Sequence, residues 1–249
     1  MKNFIYPFLL FVGLLSINMN AQSINNDNPF FTEYTTPFQT PPLDKIKLEH
    51  YLPAFEEGIK IKRAELDVII NNQDKPTFEN TIAAIEKSGK LLTKVSRVFF
   101  NISGSNGDDE TQKIAETITP ELSKLSNDIY LNEKLFQRIK SINDEKDKLN
   151  LTSEQLKVLD NYYTDFVRNG IGLDEEKKSR LKKINEELSM LGLKFGDNLR
   201  KETNATGLII NNKDDLVGLP DAVVQGASEL AKQNGLEGKW AFNLQRPSF

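Results

Sequence analysis

The amino-acid sequence predicts a mainly α protein, an antiparallel helical bundle with a small α/β segment at its C-terminal end, incomplete as a fold. Three observations carry that expectation. Apolar residues recur three or four apart along most of the chain between Leu52 and Leu199, which places them on one stripe of each helix. Helix-start residues stand before several of those stripes, at Thr77, Asp108 and Thr152. After Thr206 the helical period gives way to the short apolar run Leu208-Ile209-Ile210 and, beyond a helix from Pro220 to Gln233, to an alternating run from Lys239 to Leu244, both of which read as strands.

The elements follow in chain order. Lys2 precedes an apolar run from Phe4 to Leu15, and a polar patch then leads to Ala21. The run is shorter than the roughly 20 residues of a membrane span, so residues 1–21 read as a secretory signal peptide cut after Ala21. The protein is therefore expected to be exported, periplasmic or secreted, with no stable membrane anchor after cleavage.

Residues 22–45 hold Pro29, Pro37 and Pro41-Pro42 among Phe30, Phe31, Tyr34 and Phe38. Such a segment cannot sustain a helix but can lie extended with its rings docked in pockets. Residues 46–205 form the predicted bundle. Leu52, Phe55, Ile59, Leu66 and Ile70 share a stripe, with Pro53 tolerated in the first turn. A second helix capped by Thr77 carries Phe78, Ile82, Ile85, Leu92, Val95 and Phe99 and is expected to end at Ser103-Gly104-Ser105-Asn106-Gly107.

A third helix starts near Asp108, carries Ile114, Ile118, Leu122, Leu125 and Ile129, and is expected to kink at Pro120. A short helix follows around Leu135 and Ile139. Thr152 and Gln155 form a capping-box pattern for a helix through Leu156, Leu159, Tyr163 and Phe166, closed by Gly170. From Asp174 to about Glu202 a long helix aligns Leu181, Ile184, Leu188, Leu191, Phe195 and Leu199, the pattern of an antiparallel bundle partner. Residues 206–249 read as the start of an α/β segment whose strands have no visible sheet partners.

Composition excludes several chemistries. The 249 residues include one His and no Cys. A self-contained zinc site needs about three or four ligands, usually several of them His or Cys, and a Ser-His-Asp arrangement would have to use the same His50. With 32 basic and 36 acidic residues interspersed, no basic footprint for a nucleic-acid backbone exists. His50, between Glu49 and Tyr51 at a helix start, reads as a surface or half-buried side chain. The 103–107 run lacks the spacing and terminal Lys-Ser/Thr of a phosphate loop, and Gly170-Ile171-Gly172 lacks the third glycine of a dinucleotide fingerprint. Glu56-Glu57 offers no more than two adjacent acids, and Asp108-Asp109-Glu110 and Asp174-Glu175-Glu176 are accounted for by helix N-termini. Lys177, Lys178, Arg180, Lys182 and Lys183 read as a solvated helix face. No catalytic, cofactor-binding or metal-binding residue is assigned.

Several segments carry a resemblance that periodicity does not reveal. They are Asn28-Pro29-Phe30, the run from Ile46 to Gly58 (IKLEHYLPAFEEG), Phe78-Glu79-Asn80-Thr81-Ile82 and the run from Asn127 to Asn132 (NDIYLN). Later come Leu216-Val217-Gly218-Leu219-Pro220, Gly238-Lys239-Trp240 and the run from Leu244 to Ser248 (LQRPS). Together they resemble the N-terminal region of the peptidyl-dipeptidases within the thimet oligopeptidase family of zinc metallopeptidases, over roughly residues 28–248.

The resemblance implies a two-lobed, mostly helical enzyme in which zinc-bound water attacks peptide bonds of short oligopeptides. The family's zinc motif, His-Glu-x-x-His, lies in the C-terminal half of such enzymes and has no counterpart here. The resemblance thus implies the N-terminal helical portion of an exported peptidase, with zinc and an oligopeptide substrate belonging to the complete enzyme and no zinc bound by this chain. The alternative is a free-standing helical binding or scaffold protein without catalysis.

Overall fold

The computed structural model describes residues 27–205 and 207–244. The signal peptide read over residues 1–21 and the Arg246-Pro247-Ser248 motif lie outside the described residues.

Eight α-helices and one antiparallel strand pair make up the regular structure of the described residues, together with short 3₁₀ turns and one π-helical turn. Helix α1 (Tyr51–Ile70) is their axis. Its first half joins Tyr51, Ala54 and Phe55 to an apolar cluster with Phe30, with Val95 and Phe99 of α3 (Lys90–Asn106), and with Ile114 and Ile118 of α4 (Asp109–Tyr130). Its second half joins Leu66 and Ile69 to a separate cluster with Leu135 and Ile139 of α5 (Glu133–Glu145) and Leu159 and Phe166 of α6 (Ser153–Arg168). Phe55 and Leu66 are buried as the stripe requires, while Leu52, Ile59 and Ile70 flank it half-buried. The upper cluster is aromatic: the rings of Phe55 and Phe99 meet edge to face at 5.5 Å, and those of Phe30 and Tyr51 lie 5.4 Å apart.

The docked arm forms two 3₁₀ turns, Pro29–Phe31 and Pro37–Gln39. Phe30 is buried and Phe31 and Tyr34 are half-buried. Phe38 departs from the expectation of docked rings: it is 99% exposed, in a turn where Phe38 and Gln39 take left-handed backbone angles (φ 57° and 54°).

The segment predicted as one helix from Thr77 is two. Thr77 caps the π-helical turn Phe78–Ala83, which runs into α2 (Ala84–Lys87), and the chain then breaks at Ser88-Gly89 before α3. Gly89 adopts φ 74°, open to glycine without penalty. α1 holds the break from the side, Glu65 accepting from the Gly89 amide (2.6 Å) and Lys62 donating to Ser88 Oγ (2.6 Å). The apolar spacing missed this because each piece keeps a helical period, although Phe78, Ile82 and Ile85 face the cluster around Leu66 and Ile69 while Val95 and Phe99 face the one around Phe55. α3 also continues to Asn106, so Ser103-Gly104-Ser105 belong to a helix rather than a loop.

Asp108 caps α4 by accepting from the Thr111 amide (2.8 Å), and α4 continues through Pro120 as one element. The Thr152–Gln155 capping box is formed, and α6 closes at Gly170 with φ 87°. α7 (Glu175–Ala205) runs antiparallel to α4: Arg200 reaches Asp109 (3.2 Å) and Asn185 reaches Asn127 (2.7 Å).

Of the stripe expected to face the bundle, Leu181 is half-buried beside Gly170, but the five residues from Ile184 onward turn outward. Phe195 is 70% and Leu188 59% exposed, and Ile184, Leu191 and Leu199 are exposed with them. The face that α7 lays on α4 is mixed, with Asn185 and Ser189 lining the groove between them and Leu193 reaching the upper apolar cluster. Spacing identifies an apolar stripe but does not say which neighbour covers it.

A second correction concerns the strands, expected to lack partners. β1 (Gly207–Ile210) and β2 (Trp240–Asn243) pair antiparallel with each other, Ile209 opposite Ala241 and Leu208 opposite Phe242. α8 (Asp221–Gln233) packs against β2, burying Ala227, Ala231 and Ala241. The short apolar run in one case and the alternation in the other mark a strand each, but only the tertiary path between them makes them neighbours.

Candidate functional site

The structure gives each residue weighed in the sequence a place. His50 is buried rather than at the surface. Its Nδ1 accepts from the Lys47 amide (3.0 Å), and its carbonyl accepts from the side chain of Asn28 (2.9 Å). It locks the start of α1 to the arm.

The acidic clusters act as helix caps and ion-pair partners. The Thr111 amide and hydroxyl hold the Asp108 carboxyl below its usual range, and Lys177 does the same for Asp174. Glu57 pairs with Lys60 at 3.0 Å. Of the basic face of α7, Lys177 pairs with Asp174, and Lys178 is buried between Glu175 (3.3 Å) and Glu133 (3.7 Å).

These residues do not fit a zinc ion. Among the described residues no group of three or more His, Asp or Glu side chains is placed to hold a metal, and the Nδ1 of His50 is already engaged.

What the fold does build is a cleft of about 440 Å³ between the arm and α3. Lys90, Lys94 and Arg97 stand on one face of α3 at helical spacing and line it, with Glu33, Tyr34 and Gln39 from the arm and Glu86 from α2. Lys94 ties the arm down: its Nζ donates to the carbonyls of Phe30 (3.1 Å) and Thr32 and sits 3.9 Å over the Tyr34 ring. Burial lowers the Lys94 pKa, and burial pushes Tyr34 up to about 12. The Tyr34 hydroxyl is buried without a hydrogen-bond partner. Glu86 accepts from the Tyr162 hydroxyl at 2.6 Å. The sequence carried a signal for this site, three bases at positions i, i+4 and i+7, but the arm that completes it is far away in the chain.

A second cleft, of about 460 Å³, lies between α4 and α7 and is lined by uncharged groups, among them Ser126, Asn127, Asn185 and Ser189. Beside it runs the uncovered apolar face of α7. Among the described residues no helix is long and apolar enough to cross a membrane.

The described residues thus form a helical bundle with an apolar face left bare, clefts beside the arm and between α4 and α7, and no metal-ligating cluster. The chain is 38% identical over 217 residues to the dipeptidyl carboxypeptidase of Escherichia coli K12, a match covering 87% of this chain and 32% of that protein. It is 39% identical over the same shares to the dipeptidyl carboxypeptidase of Salmonella typhimurium. It is 29% identical to oligopeptidase A of Haemophilus influenzae, over 84% of this chain and 30% of that protein. No family model matches the chain. The chain is homologous to dipeptidyl carboxypeptidases and, more distantly, to oligopeptidases A, and it spans about a third of the length of those relatives.

Proposed function

We propose that this chain is the N-terminal helical lobe of an exported zinc peptidase of the dipeptidyl carboxypeptidase type, which cleaves short oligopeptides when joined to a catalytic half. The observation that carries the reading is the 38% identity across 87% of this chain to a relative three times as long. The bare stripe from Ile184 to Leu199 supports it, because a row of five exposed apolar side chains on one helix is what an interface leaves when its other side is removed. In this reading the catalytic half covers α7 and brings the His-Glu-x-x-His motif, which would hold the zinc and activate water at the scissile bond. The contribution of the present residues is a rigid wall: α1, α3 and α4 set the arm and α7 in fixed positions. Export follows from the signal peptide read over residues 1–21.

The pairing of β1 with β2 favours a second reading, a free-standing helical binding or scaffold protein, because it closes the C-terminal segment on itself.

Two measurements separate them. The purified chain is expected to show no oligopeptide hydrolysis and no stoichiometric zinc, and to gain activity when supplied with a catalytic half from a homologous peptidase. One tightly held zinc per chain, lost on changing His50, would overturn the assignment of the metal to the other half. The adjoining reading frame is expected to encode His-Glu-x-x-His; unrelated sequence there would favour the scaffold.

A further inference from the structure

We propose that the cleft between the arm and α3 binds a compact zwitterion, a free amino acid or short unblocked peptide. The inference goes beyond the peptidase reading, since every residue it uses lies in this chain and none depends on a catalytic half.

The charge pattern points to it. Lys90 and Arg97 are exposed and have no hydrogen-bond or ion-pair partner among the described residues, although both line the cleft. Lys94, between them on the same face, is half-buried, bonded to carbonyl oxygens and the Tyr34 ring but to no carboxylate. Three cations converging on one concave space, with no carboxylate bonded to any of them, attract a carboxylate. A multiply charged anion such as phosphate is disfavoured, because Glu33 and Glu86 line the same space. Both signs are satisfied by a ligand with a carboxylate at one end and an ammonium at the other.

The neutral groups fit the middle of such a ligand. Gln39 and Thr93 line the cleft with amide and hydroxyl groups suited to a peptide bond. The volume of about 440 Å³ lies in the range of small-molecule sites. The Tyr34 hydroxyl, buried beside Lys94 without a partner, is a further donor in the wall of the cleft.

The test uses the full chain titrated with diglycine, followed by amide chemical shifts and calorimetry. Diglycine is expected to bind saturably and to shift resonances of residues 33–41 and 90–97. N-acetylglycine, which lacks the ammonium, and glycinamide, which lacks the carboxylate, are each expected to bind about tenfold more weakly, the loss of one charged contact. The double variant K90A/R97A, whose side chains are exposed and whose melting temperature should match the parent, is expected to lose at least as much. E33Q is expected to narrow the gap between diglycine and N-acetylglycine. Absence of saturable binding, equal binding of the blocked compounds, or unchanged affinity in K90A/R97A would overturn the site. Tighter binding of inorganic phosphate than of diglycine would overturn the ligand class.

Discussion

Arg138 projects from α5 into a shell of oxygens. Its Nη1 donates to the carbonyls of Asn72 (2.7 Å) and Asp74 (3.3 Å), and its Nη2 donates to Asn80 Oδ1 (3.0 Å). Asn80 in turn accepts from the Thr77 amide and donates to the Lys75 carbonyl, so one buried guanidinium and one amide organise the whole turn from α1 to α2. Bonds to a charged donor are worth about 1.5–3 kcal/mol each. Arg138→Met is therefore expected to lower unfolding free energy by about 2–4 kcal/mol in urea, while Lys134→Met, at an exposed position of the same helix, changes it by less than about 0.5 kcal/mol. Gly58 gives an independent test at the α1–α3 contact. A Cβ there would stand 3.0 Å from the Leu92 backbone nitrogen and Cα, atoms that cannot rotate aside. Gly58→Ala gains about 1 kcal/mol of helix propensity but loses about 1–3 kcal/mol to overpacking, and the expected outcome is net destabilisation with a lower melting temperature.

Among the elements, α7 behaves in the opposite way. Gly192 and Gly196 lie in its interior with open space where a Cβ would be. Each change to alanine is expected to stabilise the chain by up to about 1 kcal/mol through helix propensity alone, a gain read by thermal melts. The same helix shows what the sequence makes legible. Its existence, length and apolar stripe are written in the spacing of Ile184, Leu188, Leu191, Phe195 and Leu199, because helical period is a local property. That the stripe faces outward is not, since Asn185 docks on α4 by a hydrogen bond to Asn127 and Ser189 lines the cleft between the helices, contacts that leave no periodic apolar mark. The caps at Thr77, Asp108 and Thr152 were legible because each joins residues three apart. The break at Gly89 was hidden because its supports, Lys62 and Glu65, sit on another helix. The cleft on α3 was half legible: Lys90, Lys94 and Arg97 are visible in the sequence, whereas Glu33 and Tyr34 join them only through the fold.

At the scale of the whole molecule, burial raises the pKa of Tyr34, Tyr51, Tyr130 and Tyr162, with Glu86 adding to the effect at Tyr162. The folded chain thus holds these phenols protonated where the unfolded chain, with values near 10.0, releases them. Stability is present below pH 10 and declines as pH rises toward 12 and beyond, because the unfolded state then binds fewer protons. Alkaline unfolding followed by circular dichroism should coincide with late tyrosinate absorbance. Hydrogen exchange then reads how the molecule is completed. Phe55, Val95, Phe99, Leu135 and Phe166 are fully buried, so α1, α3, α5 and α6 should open only with global unfolding. α7 rests on α4 along one face and presents Leu188 and Phe195 to solvent along another. Its amides are expected to exchange through local opening well before those of α3. The β1–β2 pair has strands of only four residues each and is supported by the small side chains of α8, and should exchange faster than α3. Adding a catalytic half from a homologous peptidase should slow exchange in α7 selectively, centred on residues 184–199, and leave α3 unchanged. Protection of α7 equal to that of α3 in the isolated monomer would mean that the bare stripe needs no partner, and would turn the assignment toward the scaffold.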